Sequence, residues 1–209
     1  MTSLLVNHIL QTEKWTSPEL FETKNRIYTF LNPVSYLIAL ENKSLFKQFD
    51  GIFADGSLLV SAIRLVYGKR VTRRSFDMTS LAPELLNYLM ESRKTLYIVA
   101  SGQEQVECSV RIFQEQYPKL RIAGFRNGYF SSDAEMNKEA SHIVELNPDF
   151  LIVGMGALMQ EKFLLKVKKM GYQGIGFTCG GFVHQTAMNR MHYYCLLYTS
   201  PSPRDMRRS

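Results

Sequence analysis

The sequence predicts an α/β fold: a single domain on a mostly parallel sheet with helices on both faces. Three observations predict it. Short apolar runs that read as strands alternate with segments of helical periodicity. After their leading Asp149 and Thr95, the runs DFLIV and TLYIVA are continuously apolar or aromatic, as strands covered on both faces are. The chain has 209 residues, 45% of them hydrophobic, which is enough for one domain with a core of its own. Together these describe a Rossmann-like arrangement.

Taken in order, Arg26–Leu31 reads as a strand. Ser35–Phe46 carries Leu37, Ile38, Leu40 and Leu45 at helical spacing. Gly51–Ala54 is a short buried strand, and an apolar helix follows Asp55-Gly56 through Val66. Thr79–Met90 is a helix with Thr79 as its cap and Pro83 in its first turns. Thr95–Ala100 is a strand, and Gln103–Gln116 a helix closed by Tyr117-Pro118. Leu120–Gly124 is a strand ahead of an Asn127-Gly128 turn, and Asp133 caps a helix to about Leu146. Asp149–Val153 is a strand, Ala157–Met170 a helix stopped by Gly171, and Gly174–Thr178 a last strand.

Composition narrows the function classes. Three cysteines (Cys108, Cys179 and Cys195) in an odd count without paired spacing argue against a disulfide framework and for a reducing compartment. Cys179, His184, His192 and Cys195 lack zinc-ligand spacing, so no metal site is expected. The N-terminus lacks a basic region ahead of its apolar stretch, which argues against a signal peptide. The apolar runs Leu58–Ile63 and Phe150–Val153 are too short to span a bilayer, so any membrane contact would be peripheral.

The net charge is +6, and the end of the chain, with three arginines against one aspartate, leaves +4 for the body. That excess suits an anionic ligand or membrane face. No Lys/Arg stripe with interleaved aromatics points to nucleic acid, and Lys166, Lys168 and Lys169 read as a solvated helix face. Globular character holds over 1–194. Residues 195–209, with Ser-Pro-Ser-Pro and a basic end, read as a disordered or non-native tail that resembles translated sequencing-adapter sequence.

Ligands of parallel α/β sheets sit at the carboxyl ends of the strands. That selects the loops around Asn32, Asp55-Gly56, Ser101-Gly102 and Gly154–Glu161, with Thr178–Phe182, which includes Gly180, as a further candidate. Asp55 ends an apolar strand, and two readings stay open: a general base facing a cleft, or the N-cap of the next helix. Gly154-Met-Gly156 turns a strand into a helix, where backbone N–H groups can hold phosphate oxygens. As a dinucleotide fingerprint it is weak, because Gln160 stands near the third glycine and Thr178 where an acidic residue would be needed. Arg73 or Arg74 could clamp a diphosphate, or could pair with Asp77 at the surface. Asn127, Gly128 and Tyr129 follow a strand and could line a pocket, or form an ordinary turn. There is no Asp-x-Asp pair of the kind that holds a divalent metal for sugar transfer.

Four blocks then add up: FLNPVSYLIAL (Phe30–Leu40), FADGSLLVSAIRLVYGKRVTRRSFDM (Phe53–Met78), YPKLRIAGFRNGYF (Tyr117–Phe130) and VGMGALMQEKFL (Val153–Leu164). In order and spacing they resemble the WecG/TagA/CpsF family of bacterial glycosyltransferases, glycosyltransferase family 26. That family writes them as T-x-N-x-E, DG-x-G with R-x-x-G-x-D, a GYF block and GxGxPxQE. The similarity runs from about Arg26 to Tyr194.

The resemblance implies an inverting, metal-independent transferase without a cofactor. It would move a sugar, of N-acetylmannosamine type or another hexose, from a UDP-sugar to a polyprenyl-diphosphate-linked sugar. The setting would be the cytoplasmic face of the plasma membrane, in cell-surface polysaccharide synthesis. It implies Asp55 as the base. Together with the strand-end loops, which add Gly102, it places substrate contacts at Thr29, Asn32 and Gly56, at Arg73, Arg74 and Asp77, and at Asn127, Gly128 and Tyr129. The last group would be Gly154, Gly156, Gln160, Glu161 and Gly180.

Departures are visible. The first-block threonine falls at Phe30, beside Thr29, and the proline ahead of Gln-Glu becomes Leu158-Met159. Ser75-Phe76 stands where a glycine is expected before Asp77, so Arg73 and Arg74 compete for one role. The family's C-terminal basic and aromatic segment is expected to be truncated here, and the apolar surface left uncovered could drive homo-oligomer formation. The alternative reading is a non-catalytic nucleotide- or dinucleotide-binding module, with nucleic-acid binding ranked behind it.

Overall fold

A computed structural model describes residues 3–188; Cys195, His192 and the tail expected over 195–209 lie outside them. Six strands form one sheet: β1 (Arg26–Leu31), β2 (Gly51–Ala54), β3 (Thr95–Ala100), β4 (Arg121–Arg126), β5 (Phe150–Gly154) and β6 (Ile175–Thr178). Every pairing is parallel, in the order β2-β1-β6-β5-β3-β4. All carboxyl ends therefore open on one side.

Alternation along each strand feeds two cores. Ile27, Leu31, Tyr97, Val99, Leu151 and Val153 face α1 (Leu4–Thr12), α3 (Pro33–Glu41), α5 (Ser57–Tyr67), α8 (Asp133–Leu146) and α9 (Met159–Lys169). Tyr28, Phe30, Leu96, Ile98, Phe150 and Phe177 face α2 (Ser17–Glu22), α6 (Leu81–Ser92), α7 (Gln103–Gln116) and α10 (Phe182–Met188). The second core is aromatic. The Phe177 ring stacks on Tyr28 at 5.1 Å and meets Phe76 at 5.7 Å and Phe150 at 6.5 Å.

The edges are handled differently. The Ile52 N–H of β2 donates to Thr12 Oγ1 at 3.0 Å, so α1 covers that edge. A Cβ on Gly51 would lie 2.7 Å from Thr12 Cγ2, so the approach needs glycine there. β4 is the other edge. It alternates exposed and half-buried residues instead of being covered on both faces.

Several local expectations are corrected. The helix expected over Ser35–Phe46 begins at Pro33, is capped by Asn32, and breaks at Asn42 into α3 and a short α4 (Lys43–Phe46). Asn42 ends α3 by donating its side-chain amide to the Ile38 carbonyl at 2.9 Å. Thr79 is not a cap; α6 starts after Ser80, and Thr79 binds Asp77 instead. Ser132, not Asp133, caps α8, its hydroxyl accepting from the Glu135 N–H. β4 runs on to Arg126. Lys168 leaves the solvated row: its Nζ lies 2.6 Å from Asp50 Oδ2. Helices α1, α2 and α10 were not expected: α2 and α10 are short, and Asn7 and His8 interrupt the apolar pattern of α1.

Replacing Phe177 with alanine should cost about 3–5 kcal/mol of unfolding free energy in urea, the cost of emptying a packed aromatic site. A loss below about 1 kcal/mol would contradict this packing.

Candidate active site

Beyond the carboxyl ends of the strands lies a cleft of about 1200 Å³. Its walls come from the first turn after each strand, the place that parallel topology reserves for ligands. Asn32 follows β1, Asp55 follows β2, Ser101 and Gly102 follow β3, Gly128 and Tyr129 follow β4, Gly154 to Gln160 follow β5, and Gly180 follows β6. Helices α3, α5, α7 and α9 start there, so their N-terminal N–H groups and positive dipole ends gather around one space.

Asp55 stands at the end of β2, pinned by its N–H to the Leu31 carbonyl at 2.8 Å. The N-cap of α5 is Gly56, at φ 86°, and no side-chain bond caps that helix. The cap reading of Asp55 is therefore set aside, and its carboxylate lines the cleft with its side chain 33% exposed. Burial pushes the carboxyl above the ordinary aspartate range. Arg73 pulls it back, Asp77 pushes it up, and the Gly56 N–H lowers it.

The loop between α5 and α6 delivers Arg73. The Arg74 N–H donates to the Ala54 carbonyl at 3.0 Å, and Phe76 is anchored in the aromatic core. Arg73 then reaches both carboxylates, with Nε 3.8 Å from Asp55 and Nη2 2.8 Å from Asp77. Asp77 also accepts from Ser75 Oγ at 2.7 Å and from the Thr79 N–H at 2.7 Å. Burial raises its carboxyl, but the Thr79 and Ser75 bonds and Arg73 outweigh that and hold it below the usual range. The competition between the arginines is thereby separated. Arg74 turns away, donating to the Trp15 carbonyl at 2.9 Å and lying over the Phe53 ring, while Arg73 lines the cleft.

Glu161 and Thr29 lie beneath the cleft rather than in its wall. Glu161 is fully buried, its carboxyl raised by burial against the pull of its hydrogen bonds. One oxygen accepts from Thr29 Oγ1 and Gln160 Nε2, both at 2.9 Å; the other accepts from the Leu158 N–H at 2.7 Å. Thr29 Oγ1 is 2.9 Å from Thr178 Oγ1, and Gln160 Oε1 accepts from the Gly180 N–H at 3.1 Å. One carboxylate thus ties β1, β6, the start of α9 and the Gly180 turn. Leu158 takes φ 71° here, where a proline ring would fix φ near −65° and remove the N–H that Glu161 uses. A proline at this position could not close the turn in the same way.

Close backbone approach shapes the floor. A Cβ on Gly154 would lie 2.6 Å from the Gly180 carbonyl oxygen and 2.8 Å from Cys179 Sγ. Gly156, at φ 85°, keeps open space around it. Tyr129 is 75% exposed at the rim. Its turn is held by Arg126, which donates to the Tyr129 carbonyl at 2.9 Å and lies 4.0 Å over the Phe130 ring. Asn127 accepts from the Tyr129 N–H and donates to Gln103, and like Gly56 it supports the wall without lining it.

The structure adds wall residues that spacing did not single out: Gln105, Phe130, Met155 and His184. Their signal was their place just after a strand end or, for His184, after Gly180-Gly181. Cys179 is in the wall too, but burial pushes its thiol up to about 12. Among the described residues no group of three or more His, Cys, Asp or Glu side chains could hold a metal ion.

A model of the glycosyl transferase WecG/TagA/CpsF family matches residues 9–190. The UDP-Gal:alpha-D-GlcNAc-diphosphoundecaprenol beta-1,4-galactosyltransferase of Shigella boydii is 31% identical over 189 residues, covering 90% of this chain and 75% of that protein. The N-acetylglucosaminyldiphosphoundecaprenol N-acetyl-beta-D-mannosaminyltransferase of Bacillus subtilis (strain 168) is 22% identical, over 74% of this chain and 60% of its own length. Its counterpart in Bacillus spizizenii is 23% identical, over 77% and 62%. The chain therefore spans about three-fifths of the length of the two Bacillus relatives.

Glu161→Gln keeps the shape but sets an amide N–H₂ against groups that already donate. It should cost about 1–3 kcal/mol of stability in urea unfolding. Unchanged stability would show that the carboxylate does not hold the floor together.

Proposed function

The chain belongs to the WecG/TagA/CpsF family of glycosyl transferases, and from that premise we propose that it moves a hexose or N-acetylhexosamine from a UDP-sugar to a polyprenyl-diphosphate-linked sugar. The observation that carries the reading is Asp55: a cleft-facing carboxylate at a strand end, raised by burial and left out of helix capping. The printed activities of the relatives support a nucleotide-sugar donor and a lipid-linked acceptor.

The proposed step balances simply. Asp55 takes the proton of the acceptor hydroxyl as that oxygen bonds to the anomeric carbon. The bond from that carbon to the diphosphate oxygen breaks on the opposite face, its electron pair stays on UDP, and the configuration inverts. Charge grows on the leaving diphosphate. Arg73, which lines the cleft, and the N-terminal turns of α7 and α9 at Gly102 and Gly156 are the groups placed to meet it. Asn32 caps α3 through its Oδ1, which leaves its amide nitrogen for a sugar hydroxyl. Tyr129 offers a ring face to the base or sugar. The step as written uses no metal.

No helix among the described residues is long and apolar enough to cross a membrane. A lipid-linked acceptor would then be met at a bilayer surface, and we place the reaction at its cytoplasmic face.

Asp55→Asn should lower transfer by about 10²–10⁴-fold while UDP-sugar binding is kept. Joint loss of both would remove the base role. The pH profile gives a second check. A base acts ionised, and the carboxyl sits above the ordinary aspartate value, so activity should fall with decreasing pH from a point above that value. Arg73 lowers the carboxyl, so Arg73→Met should move the acid limb to higher pH. An unmoved limb would assign it to another group.

A further inference from the structure

Helix α5 follows Asp55 directly and has two apolar stripes. Leu59 and Ile63 enter the core. Leu58, Ala62, Leu65 and Val66 occupy the opposite stripe, at i, i+4, i+7 and i+8, and all are exposed, Leu65 to 87%. Helix α3, which follows Asn32, exposes Val34 and Leu37. The two helices meet where Tyr36 and Tyr67 interact, and both begin at the rim of the cleft. A soluble helix normally shows a polar outer face, so a second apolar stripe needs an occupant.

Charge says which occupant. No acidic residue occurs from Gly56 through Phe76, a stretch with five arginines and lysines. Arg73 and Arg74 are engaged in the site and its support. Arg64, Lys69 and Arg70 are exposed and have no ion pair among the described residues. An apolar stripe flanked by free cations is the pattern of a helix lying in an anionic bilayer surface. A second copy of the chain fits poorly, because a two-fold contact across this face would set the same cations against each other.

We propose that the outer faces of α3 and α5 dock on an anionic phospholipid surface, with the apolar side chains in the headgroup boundary and Arg64, Lys69 and Arg70 on lipid phosphates. The proposal rests on the lipid-linked acceptor argued above. It adds that the docking helices are those that begin at Asn32 and Asp55, so that the cleft opens beside the membrane.

The test is co-sedimentation of the full chain with phosphatidylglycerol-containing vesicles and with uncharged phosphatidylcholine vesicles, alongside UDP binding in solution. The wild type should bind the anionic vesicles, and binding should weaken with added salt. Leu65→Glu/Val66→Glu and Lys69→Glu/Arg70→Glu should each lower it by about tenfold or more. UDP affinity should not change, since none of these residues lines the cleft. Equal binding by wild type and both variants would overturn the surface assignment. Equal binding to charged and uncharged vesicles would overturn the lipid class. A wild-type dimer that Leu65→Glu/Val66→Glu dissociates, without vesicle binding, would overturn the proposal in favour of self-association. Loss of UDP binding in the wild type itself would strike at the transferase reading and leave the vesicle result to stand alone.

Discussion

A buried carboxylate fixes the floor on which the rest of the site stands. Glu161 has no exposure and three donors converge on it, from β1, from the Leu158 turn and from its neighbour Gln160. A charge in such a place is costly unless fully hydrogen-bonded. Meeting that requirement dictates geometry. Leu158 must present its N–H at positive φ, Gln160 must lie flat enough to reach Gly180, and Thr29 must face Thr178 across neighbouring strands. The glycine turn after β5 and the Gly180 turn are thereby held together along one side of the cleft.

The other side depends on a loop rather than on a buried charge. Residues 68–80 make no regular element, yet they are fixed at both levels. Phe76 enters the aromatic core, and the Arg74 N–H joins the end of β2. Arg73 is therefore held between two carboxylates of opposite character. Asp77 is saturated with donors and held low. Asp55 is poorer in donors and raised by burial. Two aspartates on one arginine thus sit in different electrostatic settings: one anchors the cation, and the other is the carboxylate proposed above as the base.

Much of the fold was legible because burial on both faces leaves a plain mark. GIFA, and DFLIV and TLYIVA after their leading Asp149 and Thr95, are continuously apolar or aromatic, and the helices between them keep their period. The N-terminal helices were not legible. Leu4–Thr12 is interrupted by Asn7 and His8, and its apolar residues are explained only once β2 is known to be an edge that needs covering. Caps shifted by a residue wherever two capping residues were adjacent, as with Ser132 and Asp133. At the site, the strand-end rule selected loops that line the cleft, since it follows from topology alone. It could not separate a wall residue from a floor residue. Glu161 and Thr29 read as ligand contacts because motif spacing carries no depth, and Arg73 and Arg74 read alike until a backbone bond turned one away.

We propose above that the cleft at the carboxyl ends of the sheet takes a UDP-sugar. Ligand-observed NMR on this chain with UDP, several UDP-hexoses, UDP-N-acetylhexosamines and NAD tests it most directly. UDP and one class of UDP-sugar should bind selectively, with NAD silent. Binding of NAD without UDP would contradict it and return the cleft to a dinucleotide module.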